Sequence, residues 1–388
     1  MKILFVSLGC DKNLVDSEKM LGMLQEKGYT FTDDEAEADV VVVNTCCFIG
    51  DAKEESINTL LQMGELKDSG QIKALIAAGC LAQRYREEIQ KEIPQVDAII
   101  GTTAIDEIVA ALEEILAGQK QNHYEDINAA PVTETNRVVT TGGHFAYLKI
   151  AEGCDKHCTY CIIPKVRGNY RSVPKESLLK EATELADKGV RELILVAQET
   201  TLYGMDLYGK KELPRLLHEL AQIPGIYWIR ILYCYPEEIT DELIDAIAAE
   251  PKVCNYLDIP IQHASDNVLK RMGRRTDQAE LRAIIGKLRE KIPDICLRTT
   301  LISGFQEDFE ELYRFVNEME FDRLGVFPYS QEEDTPAATM EDQVPQEVKE
   351  FRRDELMELQ QAIAFDKAED MVSRILTVMI EGKVADEE

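Results

Sequence analysis

The run Gly153-Cys-Asp-Lys-His-Cys-Thr-Tyr-Cys-Ile-Ile-Pro164 places three cysteines, Cys154, Cys158 and Cys161, on one short loop with the spacing Cys-x3-Cys-x2-Cys. Three thiolates can hold three irons of a four-iron, four-sulfur cluster, which normally takes four cysteines. The fourth iron would keep an open position where a small molecule can chelate, so the loop predicts catalysis rather than electron storage. A zinc knuckle is the alternative, but zinc prefers two close pairs of ligands, and here only His157 lies inside the loop and no second pair follows nearby.

This loop follows the first of six β-type runs that alternate with helical patterns. The runs are near 146–150, 192–197, 228–232, 256–261, 296–303 and 323–327. Such alternation predicts parallel strands joined by right-handed crossovers, which for six units means a partial (βα)6 barrel. The active site of a barrel lies at the carboxyl ends of its strands, where this loop begins.

The first hundred residues show the same rhythm. Strands are predicted at 2–7, 40–44, 73–78 and 98–100, with helices at 14–27, 53–66 and 83–93. Cys10, Cys46 and Cys80 each come just after a predicted strand. Because the carboxyl ends of parallel strands meet at one edge of a sheet, these thiols are expected to converge and could bind a second cluster with a vacant iron. The alternative is that they are small buried hydrophobic residues.

The fold class predicted is therefore α/β, with an N-terminal parallel-sheet domain followed by the partial barrel. We expect the N-terminal domain at 1–117, a polar linker at 118–143, the barrel at 144–345, a helical connection at 346–375, and a last β-type run at 376–380. Pro131 and the Gly142-Gly143 pair mark the linker.

Composition restricts the function classes. With 388 residues, 45% hydrophobic, the chain can bury a large core, and its ten cysteines contain no close pairs typical of a secreted disulfide scaffold. No stretch approaches a signal peptide or a membrane helix, so we expect a cytoplasmic protein with no membrane partner. The net charge of −29 disfavours a nucleic acid and favours a basic protein partner. Two basic groups could be local patches or solvated loops: Lys165, Arg167 and Arg171, and Arg271, Arg274 and Arg275.

Motifs spread over nearly the whole chain are similar to those of the radical S-adenosylmethionine (SAM) methylthiotransferases. They are Ser7-Leu-Gly-Cys-Asp-Lys-Asn-Leu-Val-Asp-Ser-Glu18, Val43-Asn-Thr-Cys46, Ala78-Gly-Cys-Leu-Ala-Gln-Arg84, Lys149-Ile-Ala-Glu-Gly-Cys154 through Pro164, Arg167-Gly168, Tyr235-Pro236 and Leu257-Asp-Ile-Pro-Ile-Gln-His-Ala-Ser265. The resemblance implies two 4Fe-4S clusters and SAM as cofactors.

In that family the N-terminal cysteines, here Cys10, Cys46 and Cys80, ligate an auxiliary cluster, and the central three bind the cluster that SAM chelates. Cys47 is interpreted as a bystander that could compete as a ligand. The resemblance implies that one SAM gives its methyl group to a sulfur held on the auxiliary cluster, and that another yields the radical that removes hydrogen from the substrate carbon. Three further residues, Gln198, Gln262 and His263, are expected near SAM, with hydrogen bonding to backbone as the alternative.

The branch of the family is indicated by two short segments. The enzymes that act on transfer RNA usually have Gly-Cys-Gln-Met-Asn and Ser-His-Pro where this chain has Gly9-Cys-Asp-Lys-Asn13 and Tyr233-Cys-Tyr-Pro236. The substrate expected is the β-carbon of an aspartate in small-subunit ribosomal protein twelve. A transfer RNA adenosine enzyme is one alternative, and a non-catalytic metal-binding scaffold is another. The sequence identifies neither the electron donor nor the sulfur source.

Two departures from the family pattern stand out. Gln306-Glu-Asp-Phe309 follows Phe305 directly, where the family has a longer loop near SAM. The family also ends in a small β-barrel domain, of which residues 376–388 are expected to form the first strand, so that the C-terminal domain is truncated here.

Overall fold

A computed structural model describes residues 1–305 and 308–382 of the chain. Its N-terminal part is a five-stranded parallel sheet in the order β2-β1-β3-β4-β5, with helices on both faces. The elements are β1 (Lys2–Ser7), α1 (Asp11–Glu26), β2 (Thr30–Thr32), β3 (Val40–Thr45), α2 (Gly50–Asp68), β4 (Ala74–Ala78), α3 (Gly79–Tyr85), α4 (Glu87–Glu92), β5 (Ala98–Ile100) and α5 (Ile108–Leu116).

The predicted strands of this sheet are confirmed to within one residue at each end. The central strands β3 and β4 are buried along their whole length, as expected for strands covered by helices on both faces. Two features differ from the prediction. The short edge strand β2 was not predicted, and the helix expected at 83–93 is two helices, because Arg86 adopts a left-handed φ of 43° and ends α3.

The second part is a six-stranded parallel sheet in the order β13-β12-β11-β10-β9-β6, the partial barrel that the sequence predicts. Its elements are β6 (Phe145–Lys149), β7 (Ala151–Glu152), α6 (Ile163–Arg167), β8 (Arg171–Ser172), α7 (Lys175–Asp187), β9 (Glu192–Val196), α8 (Met205–Tyr208), α9 (Leu213–Ala221), β10 (Trp228–Ile231), α10 (Asp241–Ala249), β11 (Val253–Asp258), α11 (Asp266–Arg271), α12 (Gln278–Lys291), β12 (Cys296–Ser303), α13 (Phe309–Met319), β13 (Arg323–Pro328) and α14 (Gln346–Glu369).

The two parts share apolar contacts. Ile162 and Val166, which follow the central cysteines, pack into the same cluster as Leu60 and Leu81 of the N-terminal sheet domain. The segment 118–143 runs along α1, where Lys19 donates to the Val132 carbonyl. At the other end, Leu356 and Ile363 of α14 join the core of the barrel.

The prediction of a last strand at 376–380 is wrong. Residues 376–380 have no regular secondary structure, and three of their apolar side chains are exposed, namely Leu376, Val378 and Ile380. A strand needs a neighbour for its N–H and C=O groups, and no described strand pairs with this segment. Residues 383–388, and Gln306 and Glu307 of the short loop after Phe305, lie outside the described residues. Among the described helices, none is both long enough and apolar enough to cross a membrane.

Candidate active site

Three cysteines lie at the carboxyl edge of the N-terminal sheet, as the sequence predicts. Cys10 follows β1 and caps α1, Cys46 follows β3, and Cys80 follows β4. A parallel bridge between Thr45 and Gly79 brings the second and third of these thiols side by side. Because β1, β3 and β4 are direct neighbours in the sheet, the three cysteines share one edge.

The approach of Cys10 to Cys46 depends on a glycine. Gly9 has a φ of +88°, and a Cβ atom built on it would lie 2.8 Å from the Cys46 Sγ. Only glycine therefore lets the chain pass this close while turning into α1.

The environment of these thiols is mixed. Cys46 and Cys80 are buried, and Cys10 is exposed. Burial raises the pKa of the Cys46 and Cys80 thiols, and the nearby Arg167 opposes this for both. Cys47 lies in the apolar core beside Leu60 and Leu81, and burial raises its pKa to about 11. The structure thus places three thiols at the sheet edge and Cys47 in the core.

The central three cysteines lie on the loop between β7 and α6, at the carboxyl end of the first barrel strand. Cys154 and Cys158 are buried and Cys161 is half-buried, and burial raises the pKa of Cys154 to about 12. The loop is fixed by backbone hydrogen bonds from Cys154 N to Gly168 O, 3.1 Å, and from Thr159 N to Met272 O, 2.9 Å.

Neither trio is arranged around a single ion. Among the described residues, no group of three or more His, Cys, Asp or Glu side chains converges as a ligand set for one metal. The donor set, thiols alone at both sites, is the one that iron–sulfur clusters use. Three thiols at each site fit an iron–sulfur cluster.

A buried network of charges lies between the two trios. Asp16 of α1 and Glu152 of β7 accept from Arg167, at 2.7 and 3.1 Å, and both also bind Lys149. Burial works to raise the pKa of Glu152, but Arg167 and Lys149 outweigh it and hold that pKa below its ordinary value. The network joins the N-terminal domain to the barrel through buried ion pairs.

Gln198, one of the residues expected near SAM, belongs to this network. It follows β9, and its Nε2 donates to Glu152 Oε1 at 2.9 Å. Its Oε1 is buried and has no hydrogen-bond partner among the described residues. Such an unused acceptor beside the central loop is available to a donor on a ligand.

Gln262 and His263 lie beyond the end of β11. The Gln262 backbone pairs with β12, and His263 Nδ1 accepts from Ser265 N at 3.0 Å, which agrees with the alternative of hydrogen bonding to backbone. Burial lowers the pKa of His263 to about 4. The imidazole is therefore neutral at physiological pH.

The sequence reasoning missed two buried arginines. Arg167 and Arg274 were assigned to basic groups that could be solvated loops, but they are 1% and 8% exposed. Arg274 donates to Pro260 O, and its guanidinium carbon lies 4.3 Å from the centre of the Tyr235 ring. Its Nε and Nη1 have no partner among the described residues. The sequence did offer an indication of their burial. Arg167 follows the loop of the central cysteines, and Arg274 follows the motif that ends at Ser265, and both segments lie at the carboxyl ends of barrel strands.

Two lysines also line this region. Lys12 lies with its Nζ 3.3 Å from the centre of the Tyr233 ring and 2.8 Å from Asp11. Lys156, inside the central loop, binds Glu237 and Glu238. Beside it, burial raises the pKa of Glu199 to about 7. The mouth of the barrel is thus lined by paired charges.

Comparison with known proteins agrees with this geometry. Residues 2–101 match the family described as uncharacterized protein family UPF0004, and residues 148–316 match the radical SAM superfamily.

Among solved structures, the radical SAM methyltransferase TsrM from Kitasatospora setae has a TM-score of 0.60 at 13% identity, over 87% of this chain and 76% of that chain. The cobalamin-dependent SAM radical enzyme OxsB has a TM-score of 0.56 at 13% identity, over 93% of this chain and 56% of that chain. At such identities these likenesses concern the fold alone. The fold and the three-cysteine loop define a radical SAM enzyme.

Closer relatives identify the branch. The ribosomal protein uS12 methylthiotransferase RimO of Lachnoclostridium phytofermentans is 62% identical over 100% of this chain and 89% of its own length. The proteins of the same name from Acetivibrio thermocellus and Clostridium tetani are 50% and 49% identical, over 98% and 97% of this chain and 86% and 85% of their own lengths. The chain belongs to the ribosomal protein uS12 methylthiotransferase family.

Proposed function

We propose that this enzyme replaces one hydrogen on the β-carbon of an aspartate in ribosomal protein uS12 with a methylthio group. The observation that carries the proposal is the pair of three-cysteine sets, one at the edge of each parallel sheet, on a chain that is 62% identical to a uS12 methylthiotransferase. The proposed setting is the cytoplasm, because the substrate is a ribosomal protein.

The two trios are proposed as ligands of two 4Fe-4S clusters. Cys10, Cys46 and Cys80 would hold the auxiliary cluster, and Cys154, Cys158 and Cys161 the cluster that binds SAM. When bound, the clusters and SAM supply one-electron chemistry and the methylthio group. Each trio offers three thiolates where a cubane takes four, so each leaves one iron free for a small molecule.

The residues beside the central loop are proposed to orient SAM. The unpartnered Nε–H and Nη1–H of Arg274 are free to donate, and either suits the carboxylate of its amino acid part, because a hydrogen bond between two charged groups is strong. The unpartnered Oε1 of Gln198 suits an ammonium or hydroxyl donor of the same ligand. Both side chains also close the site with buried polar groups that exclude water, which a radical reaction needs.

The net charge of the chain supports a basic protein as the substrate. A net charge of −29 attracts a basic ribosomal protein and repels the phosphates of a nucleic acid.

The function is tested by mass spectrometry after anaerobic reconstitution. The protein should hold about eight irons per chain, in two four-iron clusters. With SAM and a reductant it should release deoxyadenosine and add the methylthio mass to uS12, but not to transfer RNA incubated in parallel. Absence of deoxyadenosine would refute the radical assignment, and the added mass on transfer RNA alone would refute the substrate.

Replacing each trio by alanine separates the two roles. Alanine at 154, 158 and 161 should leave about four irons and abolish deoxyadenosine formation. Alanine at 10, 46 and 80 should also leave about four irons, keep deoxyadenosine formation and abolish methylthio transfer. If either variant keeps all eight irons, its ligand assignment is wrong.

A further inference from the structure

Arg167, a barrel residue, touches Cys80, a proposed ligand of the auxiliary cluster, from across the domain boundary. It ends α6 and is 1% exposed. Its Nε–H donates to the Cys80 Sγ, with 3.3 Å between nitrogen and sulfur. A barrel residue thus donates a charge-assisted hydrogen bond to a thiol of the N-terminal domain.

Three oxygen acceptors fix the orientation of this guanidinium. Nη1 donates to Asp16 Oδ2 at 2.7 Å and to Glu152 Oε2 at 3.1 Å, and Nη2 donates to Asn13 Oδ1. A guanidinium is planar and rigid, so acceptors at both Nη atoms determine where the Nε–H points. That direction is towards Cys80, and a lysine, with one compact ammonium, cannot reach all these partners at once.

The charges around Arg167 balance one another, so the hydrogen bond to the Cys80 sulfur is what sets this arginine apart from an ordinary buried ion pair. Asp16 and Glu152 carry two negative charges, and Lys149 and Arg167 carry two positive ones, so the group is neutral. The carboxylates come from opposite sides of the boundary, Asp16 from α1 and Glu152 from β7. The guanidinium is therefore held in place only when the barrel is docked on the N-terminal domain.

We propose that Arg167 is a positioning residue of the auxiliary cluster, which sets the reduction potential of that cluster through the hydrogen bond to Cys80. The inference rests on the proposed function, in that Cys80 must be a cluster ligand. Hydrogen bonds to the sulfurs stabilise the more negative, reduced state and so raise the potential. Through Glu152, the same guanidinium is linked to Gln198, at the end of β9 where SAM is expected.

The test uses the full chain with alanine at 154, 158 and 161, so that only the auxiliary cluster remains. In this background, Arg167→Lys keeps the positive charge but removes the fixed Nε–H. Arg137→Lys is the matched control, because Arg137 is also buried and bridges Glu18 of α1 to Glu181 of α7, with no cysteine among its hydrogen-bond partners in the described part of the chain. Both variants lose a buried arginine between the two domains.

A redox titration followed by electron paramagnetic resonance gives the potential of each protein. Arg167→Lys should have a more negative potential than its parent, and Arg137→Lys the parent value, although both unfold at lower temperature. Equal potentials in all three proteins, or an equal shift in both variants, would overturn the proposal. If the parent itself binds no four-iron cluster, the ligand assignment falls, and this inference falls with it.

A second measurement needs no substitution at Arg167, in case that variant fails to fold. The parent protein, with alanine at 154, 158 and 161, is produced with 15N-labelled arginine. Its reduced cluster is then studied by pulsed electron paramagnetic resonance. A hydrogen bond at 3.3 Å should give a 15N hyperfine coupling that the unlabelled protein lacks. Labelled protein without this coupling would refute the contact on which the proposal depends.

Discussion

At the scale of single residues, the absence of a side chain at Gly153 allows Cys154 to reach its position in the cysteine loop. Its φ is +78°, and a Cβ built on it would lie 2.0 Å from the carbonyl oxygen of Asn169. Gly153→Ala should therefore displace the start of the loop and reduce the iron content from about eight to about four per chain. Iron and sulfide analysis of the reconstituted protein measures this.

Gly189 provides the matched control for that substitution. Its φ is +105°, but a Cβ would meet no atom within 4 Å. Gly189→Ala should cost roughly 1 to 2 kcal/mol of stability from the backbone conformation alone and keep all the iron. Full iron in Gly153→Ala would contradict the packing argument.

Because of His263, the free energy of unfolding should be lower in mild acid than at neutral pH. Burial lowers its pKa in the folded state from 6.5 to about 4, so between these values the unfolded chain binds a proton that the folded chain does not. Stability is therefore lost as the pH falls through this window, by about 2 kcal/mol between pH 7 and pH 5. His263→Asn keeps an acceptor for Ser265 N and should lose correspondingly less over the same range.

Denaturant unfolding at the two pH values measures this difference. His218→Asn is the control for the loss of a histidine, because the His218 side chain is exposed, and it should change the difference between pH 7 and pH 5 less than His263→Asn does. An unchanged pH dependence in His263→Asn would show that the imidazole is not buried in neutral form.

At the scale of elements, α14 stabilises the barrel through one face. Leu356 is fully buried in the barrel core, whereas Met357, the next residue, is 40% exposed. Leu356→Ala should cost about 3 kcal/mol of the free energy of unfolding, because it leaves a cavity. Met357→Ala should cost less than about 1 kcal/mol. Comparable losses in the two variants would mean that the helix does not pack on the barrel by this face.

At the scale of the whole molecule, the net charge of −29 should make the encounter with uS12 sensitive to salt. Attraction between an acidic enzyme and a basic protein is screened as the Debye length falls from about 14 to about 6 Å between roughly 50 and 300 mM salt. The kcat/KM for uS12 modification should fall several-fold over this range. Deoxyadenosine formation without uS12 should change little, and an equal fall in both rates would exclude an electrostatic encounter.

The sequence alone indicated where most of the strands lie along the chain, that they pair in parallel, and that six cysteines follow strand ends. Strand and helix periods are local patterns, and a parallel sheet with helical crossovers places every strand end at a common edge. For this reason Cys10, Cys46 and Cys80 could be assigned to one edge before any contact between them was known. Their role as ligands remains a prediction.

Only the tertiary structure decided what surrounds those cysteines. Arg167 and Arg274 look like ordinary surface residues in the sequence, but the docking of the two domains buries Arg167, and barrel residues such as Pro260 and Tyr235 cover Arg274. The fold of the barrel brings Gln198 to Glu152, while the β-type run at 376–380 forms no strand because no described strand pairs with it. The burial and partners of a long polar side chain depend on elements distant in sequence, and a local pattern carries no record of them.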